Sequence, residues 1–270
     1  MIKFTLPFIL IFSCMPVNSQ NYSMINPYGN TVRSRINIPA GYARINATAG
    51  SFADYLRNLP CLPDGSNVIL YNNRIRTNAS QAAVLDISIG NTDLQQCADA
   101  IIRIRAEYLY SAGRINEISF NLTNGFPCSF EKWSKGYRVK IKGNRTEWIK
   151  TAAASSARTA FDKYLTFIFN YAGTYSMSQQ CEKRNIDNIQ IGDIFIQGGF
   201  PGHAIIVLDM AENKSGKKII LLAQSYMPAQ SIHVLKNPES SISPWFELND
   251  PDYRLITPDW NFTYDDLKKL

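Results

Sequence analysis

The sequence predicts an α+β domain, with helices in the first two thirds of the chain and an antiparallel sheet in the last third. Apolar residues recur at helical spacing in two long segments, residues 92–113 and 146–172. The last third contains short β-rich runs separated by turn residues, at 194–196, 204–210, 218–223 and 232–235. Helices followed by strands are typical of the α+β class. We find no internal repeat or low-complexity linker in the sequence, so residues 20–270 are expected to form a single domain.

The first 19 residues have the pattern of a signal peptide. Lys3 supplies a positive charge, and TLPFILIF is an apolar run too short to cross a bilayer as a stable helix. Residues 17–19 are small enough to precede a signal-peptidase cut. The alternative is a bacterial lipobox at residues 11–14, in which Cys14 would be acylated. Both predict export to the periplasm or the cell surface, with membrane contact only through a lipid anchor at Cys14.

Helix signals fix the ends of three predicted helices. Ser51 is a favoured N-cap for a short helix in SFADYLRNLP. Thr92 followed by Gln95 is a capping-box pattern that begins the helix over 92–113. Gly113 and Gly173 close the two long helices, in the role that glycine commonly takes at a helix C-terminus.

Alternating apolar residues predict four further strands, at 67–71, 84–89, 115–122 and 137–141. The last two are expected to be joined by a loop that carries Cys128 and Trp133. Polar residues 212–217 form the predicted turn of a β-hairpin between the runs at 204–210 and 218–223.

Cysteine usage allows two interpretations. After removal of the leader, four cysteines remain, Cys61, Cys97, Cys128 and Cys181. An even number in an oxidising compartment predicts two disulfides. If one cysteine instead works as a thiolate, three are left and at least one of those is unpaired.

Charge and composition indicate an ordinary globular protein. The chain is 45% hydrophobic and 19% charged, with a formal net charge of +6. The basic residues look spread out, without a block or aromatic interleaving, so a nucleic-acid partner is not expected. The positive excess would still favour approach to an anionic envelope polymer.

Few residues are available for catalysis. The chain has two histidines, His203 and His233. We find no Gly-x-Ser-x-Gly elbow, His-Glu-x-x-His pair, Cys-x-x-Cys pair or Gly-rich phosphate loop in the sequence. No metal and no cofactor are therefore expected, and the remaining candidate chemistry is a thiol assisted by an imidazole.

Cys97 and His203 are the predicted nucleophile and base. Cys97 lies early in a helix, where the helix dipole lowers a thiol pKa, and His203 opens the run at 204–210. The predicted hairpin turn places Gln224 or Ser225 opposite His203, close enough to orient the imidazole. Backbone N–H groups near Cys97, together with the side chain of Gln95 or Gln96, would form an oxyanion site.

These segments resemble known families. GDIF followed by GHAIIV is similar to the strand pair of papain-like cell-wall hydrolases of the NlpC/P60 and amidase kinds, and CADA resembles their nucleophile helix. A cysteine helix before a His-initiated strand also resembles transglutaminase-like cores. This resemblance implies a papain-like fold in which the Cys97 helix packs on an antiparallel sheet. The usual third position holds Gln224 or Ser225 rather than Asp, Asn or His.

A second resemblance covers most of the mature chain. It rests on QCADAIIRIRAEYLY, NYAGTYS, GDIFIQGGFPGHAIIVLDMA and LLAQSYMPAQSIHVLKNP. In these segments the chain is similar to a family of secreted bacterial proteins described as domain of unknown function 4846.

Three functions remain open. The leading hypothesis is an exported thiol hydrolase that cleaves a peptide or amide bond of the cell wall. The alternatives are a non-catalytic module that binds wall or polysaccharide with its cysteines in disulfides, and a structural partner of an outer-membrane assembly. Taken alone, Cys97 is more simply a core or disulfide residue, and His203 a capped residue at a strand edge. His233 is expected on the surface of a strand.

Overall fold

The computed structural model describes residues 23–143 and 145–270. The predicted leader, with its two cleavage sites and Cys14, lies outside the described residues. The helices are α1 (Val32–Arg35), α2 (Phe52–Arg57), α3 (Cys97–Ser111), α4 (Phe130–Ser134), α5 (Arg158–Tyr171) and α6 (Thr174–Gln180). Among the helices of the described residues, none is long and apolar enough to span a membrane.

The strands are short except for two that form the centre of the molecule. They are β1 (Tyr42–Arg44), β2 (Gln81–Val84), β3 (Ser119–Asn121), β4 (Pro127–Ser129), β5 (Tyr137–Lys142), β6 (Arg145–Lys150), β7 (Glu182–Lys183), β8 (Ile194–Gln197), β9 (His203–Asn213), β10 (Lys218–Gln224), β11 (His233–Leu235), β12 (Trp245–Glu247), β13 (Arg254–Ile256), β14 (Asn261–Thr263) and β15 (Leu267–Lys269).

A nine-stranded antiparallel sheet organises the fold. Its order is β2-β11-β10-β9-β8-β15-β7, with β1 on the far end of β9 and β12 on β10. The hairpin β9–β10 lies at its centre and turns through the predicted polar loop. The structure therefore confirms a mixed α+β class with a large antiparallel sheet.

Both faces of the central hairpin are covered. One apolar cluster joins alternate residues of β9, such as Ala204 and Ile206, to the helices. The other joins Ile205 and Val207 to the C-terminal segment, including Phe262. The first nine residues of β9 are buried as a result. A strand that is buried on both faces loses the alternation that would mark one side as solvent-exposed.

The start of α3 differs from its predicted position in a way that affects the site. The helix begins at Cys97, five residues after Thr92. Gln96 is its N-cap, and the Asp99 carboxylate accepts a hydrogen bond from the Gln96 amide at 3.1 Å. Residues 91–94 form bends and turns instead. The short helix after Ser51 is confirmed as α2, with the Ser51 hydroxyl accepting from the Asp54 amide at 3.2 Å.

Several predicted elements are wrong. The helix over 146–172 is in fact a strand, β6, followed by α5, because residues 145–150 pair with β5 across a turn at Gly143. Residues 67–71 make only isolated bridges. The strand predicted at 84–89 is replaced by β2, which lies earlier in the chain and ends at Val84. Residues 115–122 form a 3-10 turn and β3, and the supposed loop after them contains β4 and α4.

The two predicted disulfides are also wrong. Cys61, Cys97, Cys128 and Cys181 are all free thiols, and the first three are buried. The backbone of Cys61 forms a β-bridge with Leu85, Cys97 begins α3, Cys128 is in β4 and Cys181 is the C-cap of α6.

A buried ion cluster ties the N-terminal segment to the sheet. Asp209 of β9 is fully buried, and its two carboxylate oxygens each accept a hydrogen bond at 2.6 Å, one from Arg44 and one from Arg57. The guanidinium groups also donate to the carbonyls of Ile36 and Ile45. Such a cluster is costly to break, because removing one member leaves an uncompensated charge in the interior.

We expect Asp209→Ala to lower the free energy of unfolding by about 3–5 kcal/mol, since Arg57 would stay buried without its counter-charge. Urea denaturation followed by circular dichroism measures the change. Asp252→Ala, which removes an exposed partner of Arg254, is the matched control and should leave the midpoint unchanged. Equal midpoints for the two variants would contradict a stabilising role for the cluster.

Candidate active site

Cys97 lies at the first residue of α3, with its sulfur held against the start of β9. The backbone amides of Cys97, Ala98 and Ala204 lie close enough to the sulfur to lower the pKa of the thiol. Ala204 directly follows His203, so the thiol and the imidazole both lie at the beginning of β9. Because the helix starts at Cys97 rather than at Thr92, the sulfur lies where the positive end of the helix dipole acts most strongly.

His203 is fully buried and held by one polar contact and three aromatic rings. Its Nε2 is 2.8 Å from the Oε1 atom of Gln224. Its ring centre lies 4.9 Å from that of Tyr226, 5.6 Å from Trp260 and 5.9 Å from Phe262. The other nitrogen, Nδ1, is buried and has no hydrogen-bond partner among the described residues. Because the Gln224 oxygen accepts the hydrogen bond, Nε2 carries the ring proton and Nδ1 has the free lone pair.

Of the two predicted orienting residues, Gln224 contacts the imidazole and Ser225 does not. The Ser225 hydroxyl donates to the carbonyl of Gln230 at 2.9 Å and is 3.3 Å from that of Gln95. Ser225 therefore ties the loop after β10 to the segment before α3. Its role is to hold the two chain segments that flank the site.

The sequence analysis missed two residues behind Gln224, Asp259 and Arg76, and misplaced a third, His233. The Gln224 amide nitrogen is 2.5 Å from the Oδ2 atom of Asp259 and 3.5 Å from the Nε2 atom of His233. Asp259 is in turn paired with Arg76 at 2.5 Å. His233 was expected on the surface but is fully buried, because the C-terminal segment covers this face of the sheet.

A cleft of about 240 Å³ opens beside the thiol. Its lining includes Cys97 and the first turn of α3, the loop at 199–202, residues 172–174 and Met227. Phe200 at the rim is 90% exposed. His203 does not line this cleft, and its ring packs against Trp260 and Phe262.

Burial keeps the thiol and the imidazole neutral. It raises the pKa of Cys97 to about 11, against the opposing effect of the backbone hydrogen bonds. It also lowers the pKa of His203 to about 4, although the contact with Gln224 and the charge of Asp259 favour the protonated form. Between these values the proton stays on sulfur. The unliganded site therefore contains a neutral thiol and a neutral imidazole, not a thiolate–imidazolium pair.

Asp99 is a second buried acid at the cleft, two residues after Cys97. Burial raises its pKa to about 8, and its Oδ1 atom has no partner among the described residues. Once ionised, Asp99 repels negative charge on the sulfur and raises the pKa of Cys97 further. Its position in the CADA segment was visible in the sequence, but its burial was not.

The two glutamines before Cys97 differ in their availability as oxyanion donors. The Gln96 amide nitrogen donates to Asp93 at 3.0 Å and is occupied. The Gln95 side chain is buried, with its oxygen held by Arg103 at 3.0 Å and its nitrogen without a partner among the described residues. The free donor of the two is therefore Gln95.

The described residues contain no group of three His, Cys, Asp or Glu side chains that could hold a metal ion. The donors at the site are instead a thiol, two imidazoles and amides, which suit proton transfer and nucleophilic attack.

We expect Asp99→Asn to move the pH midpoint of Cys97 alkylation downward, on the order of one unit, because the variant removes a negative charge near the sulfur. Iodoacetamide labelling mapped by mass spectrometry measures the rate. Below pH 8, where burial keeps Asp99 protonated, variant and parent should react equally; above it the variant should react faster. Asp93→Asn lines the same cleft and should leave the profile unchanged. Identical pH profiles of alkylation for Asp99→Asn and the parent protein would contradict an electrostatic effect of Asp99 on the thiol.

Comparison with known proteins supports one of the two resemblances. No curated protein and no solved structure matches the chain. The family model described as domain of unknown function (4846) matches residues 32–269, which include every residue of the candidate site. The chain belongs to the family described as domain of unknown function (4846).

Proposed function

We propose that the chain is an exported cysteine hydrolase that cleaves a peptide or amide bond of the cell wall. One observation carries the proposal: a cysteine at a helix N-terminus lies near the backbone amide of Ala204, the residue that follows a histidine held at Nε2 by a glutamine. A nucleophile, a base and an orienting amide in that order are the parts that thiol acyl transfer requires.

The proposed reaction begins with a neutral thiol. The Cys97 sulfur attacks the carbonyl carbon of the substrate, and the thiol proton passes to Nδ1 of His203 as the C–S bond forms. The C–N bond then breaks, and the imidazolium returns the proton to the leaving amine. Water, deprotonated by His203, hydrolyses the thioester, and the acid product leaves with the thiol restored. Because His203 has a low pKa, proton transfer accompanies the attack rather than preceding it.

Negative charge develops on the carbonyl oxygen of the substrate during attack, and hydrogen-bond donors are needed to stabilise it. The first amides of α3 lie at the positive end of a 15-residue helix. The unpartnered Gln95 amide nitrogen is a further donor within the same segment. Rim residue Phe200 and the loop at 199–202 would shift to admit substrate to the imidazole, which does not line the cleft.

The papain-like fold, the wall substrate and the site of action belong to this proposal. The papain-like fold and the wall substrate follow from the strand pair GDIF and GHAIIV and from the Cys97 helix, which resemble cell-wall hydrolases. Export follows from the leader pattern of residues 1–19, with Cys14 as the lipid anchor if the lipobox is used. A peptide bond rather than a glycosidic bond is the target because the site offers a thiol nucleophile and an imidazole base, not a pair of carboxylates flanking a substrate.

We expect Cys97→Ala and His203→Ala each to reduce release of amino groups from purified cell-wall peptides by at least about 100-fold. The wild-type protein should also form a thioester adduct on Cys97, detected by intact mass. Cys181→Ser is the matched control, because Cys181 is a free thiol outside the site, and it should retain activity. Retained cleavage in Cys97→Ala, or no cleavage by folded wild-type protein, would overturn the proposal.

A second candidate function, a non-catalytic module that binds an acidic polysaccharide, is favoured by the distribution of charge. Residues 131–150 contain seven basic and two acidic residues, so the other 250 positions are almost balanced, with 21 basic and 20 acidic. The basic residues are therefore less evenly spread than expected. Most lie on the β5–β6 hairpin, where Lys142 stands directly opposite Arg145 near the turn. Like charges in opposed positions destabilise a hairpin, which suggests a role in binding.

The spacing on this hairpin suits a linear polyanion. Lys140 and Lys142 are exposed alternate residues of one strand, about 7 Å apart along it. Arg145, with its side chain 80% exposed, stands opposite Lys142 on the other strand and is ion-paired with Glu147 at 3.3 Å. Lys140 and Lys142 would contact successive acidic groups of an extended chain.

We expect the double variant Lys140→Glu/Lys142→Glu to weaken binding of alginate, a polyuronate, at least about 10-fold at low salt. Isothermal titration measures the affinity. Lys163→Glu/Lys236→Glu makes the same change in net charge elsewhere and should bind like wild type. Equal losses in both double variants, or no alginate binding by wild type, would contradict a hairpin-specific site.

A further inference from the structure

We infer that Asp259 and His233 are positioning residues that hold the Gln224 amide in one orientation, and that this orientation decides which nitrogen of His203 carries the proton. The catalytic consequence of this inference rests on the proposed function. The hydrogen-bond arrangement itself does not, because it can be measured in the resting protein.

A glutamine beside a histidine has two usable orientations. A carboxamide has an oxygen that accepts and a nitrogen that donates, and a half-turn of the group exchanges them. With the oxygen toward His203, Nε2 of the imidazole must donate and Nδ1 is left as the base. With the nitrogen toward His203, Nε2 accepts and Nδ1 carries the proton. Only the first arrangement leaves Nδ1 able to take a proton.

Asp259 excludes the second orientation from one side. Its Oδ2 atom is 2.5 Å from the Gln224 amide nitrogen. Its other oxygen accepts a hydrogen bond from Arg76 at 2.5 Å, so both oxygens of Asp259 face donors. Turning the Gln224 amide would place a carbonyl oxygen against this carboxylate.

His233 excludes the second orientation from the other side. Its Nδ1 atom is 2.9 Å from the Ser231 carbonyl, which can only accept, so Nδ1 carries the proton. The ring is neutral, because burial lowers the pKa of His233 to about 4. Its Nε2 atom therefore presents a lone pair to the Gln224 amide nitrogen, at 3.5 Å.

The groups form a chain in which each proton position fixes the next. The Ser231 carbonyl fixes His233, His233 and Asp259 together fix Gln224, and Gln224 fixes His203. Every member except the Arg76–Asp259 pair is at least about 97% buried, so water does not compete for these contacts. The structure thus assigns opposite tautomers to the two histidines, with the proton on Nε2 in His203 and on Nδ1 in His233.

Two histidines in the whole chain make this assignment measurable. In ¹⁵N-labelled protein at pH 7, long-range ¹H–¹⁵N correlation spectra report the protonated nitrogen of each ring. We expect one histidine of each tautomer, assigned by His233→Gln. Two histidines with the same tautomer, or His203 protonated on Nδ1, would overturn the inference without any variant at Asp259.

Asp259→Ala tests the contribution of the carboxylate. The ratio of the two His203 tautomers should shift by at least about 10-fold toward protonated Nδ1, while His233 keeps its proton on Nδ1. Asp259→Asn is the second variant if the alanine protein does not fold, and it should shift the ratio in the same direction. Asp265→Ala removes an exposed carboxylate from the same C-terminal segment and should leave the ratio unchanged. A folded Asp259 variant with the wild-type ratio would refute a positioning role.

Hydrolysis separates this inference from the proposed function. If wild type cleaves wall peptides, Asp259→Ala should lower kcat about 10-fold or more with KM unchanged, because Asp259 does not line the cleft. A lower kcat with an unshifted tautomer ratio would count against the inference and leave the hydrolase proposal intact. If wild type cleaves nothing, the hydrolase proposal fails and the tautomer measurement still decides the inference.

Discussion

The Gln224 side chain reaches His203 only because β9 and β10 change register partway along their hairpin. Near the turn the pairs run from Lys218↔Glu212 to Leu221↔Asp209, and after the shift Leu222 pairs with Val207. Had the first register continued, Gln224 would stand opposite Ile206 and project to the face that His203 does not use. The extra residue in β9 moves Gln224 to the same face as His203. Every contact behind the imidazole depends on this irregularity.

The shift creates a row of polar side chains across an apolar sheet. Gln197 pairs with His203 and Gln224 pairs with His233, so four adjacent strands each contribute one polar residue to the same face. Burying such groups is favourable only when each has a partner. The C-terminal segment supplies the partners, since Trp260 donates to Gln197 at 2.8 Å and Asp259 accepts from Gln224. The same cover excludes water, which is why both imidazoles stay neutral.

Elements with a local sequence pattern could be predicted, whereas contacts between segments far apart in the chain could not. The hairpin turn, the short helix after Ser51 and the strands of the last third have local patterns, and they were predicted. The candidate pair of Cys97 with His203, and Gln224 as a neighbour, followed from the same local patterns plus one turn.

Asp259 lies 35 residues beyond Gln224 on an irregular segment, and no spacing rule connects them. His233 was wrongly placed on the surface because alternating polar and apolar residues mark an exposed face of a strand only when no other segment packs on that face. Here the C-terminal segment, which comes later in the chain, packs on it. The helix predicted over 146–172 failed because residues 145–150 satisfy a strand pattern once β5 lies beside them.

The site draws its parts from almost the whole length of the domain. Arg76 comes from the segment before β2, Cys97 from α3, His203 and Gln224 from the central hairpin, and Asp259 from the last strands. The set spans residues 76–259, and the family model covers all of it. The residues between Cys97 and His203 build α5, α6 and the loop that lines the cleft. The neutral, buried state of His203 depends on the C-terminal segment, because Trp260 and Phe262 pack on its ring and Asp259 holds Gln224.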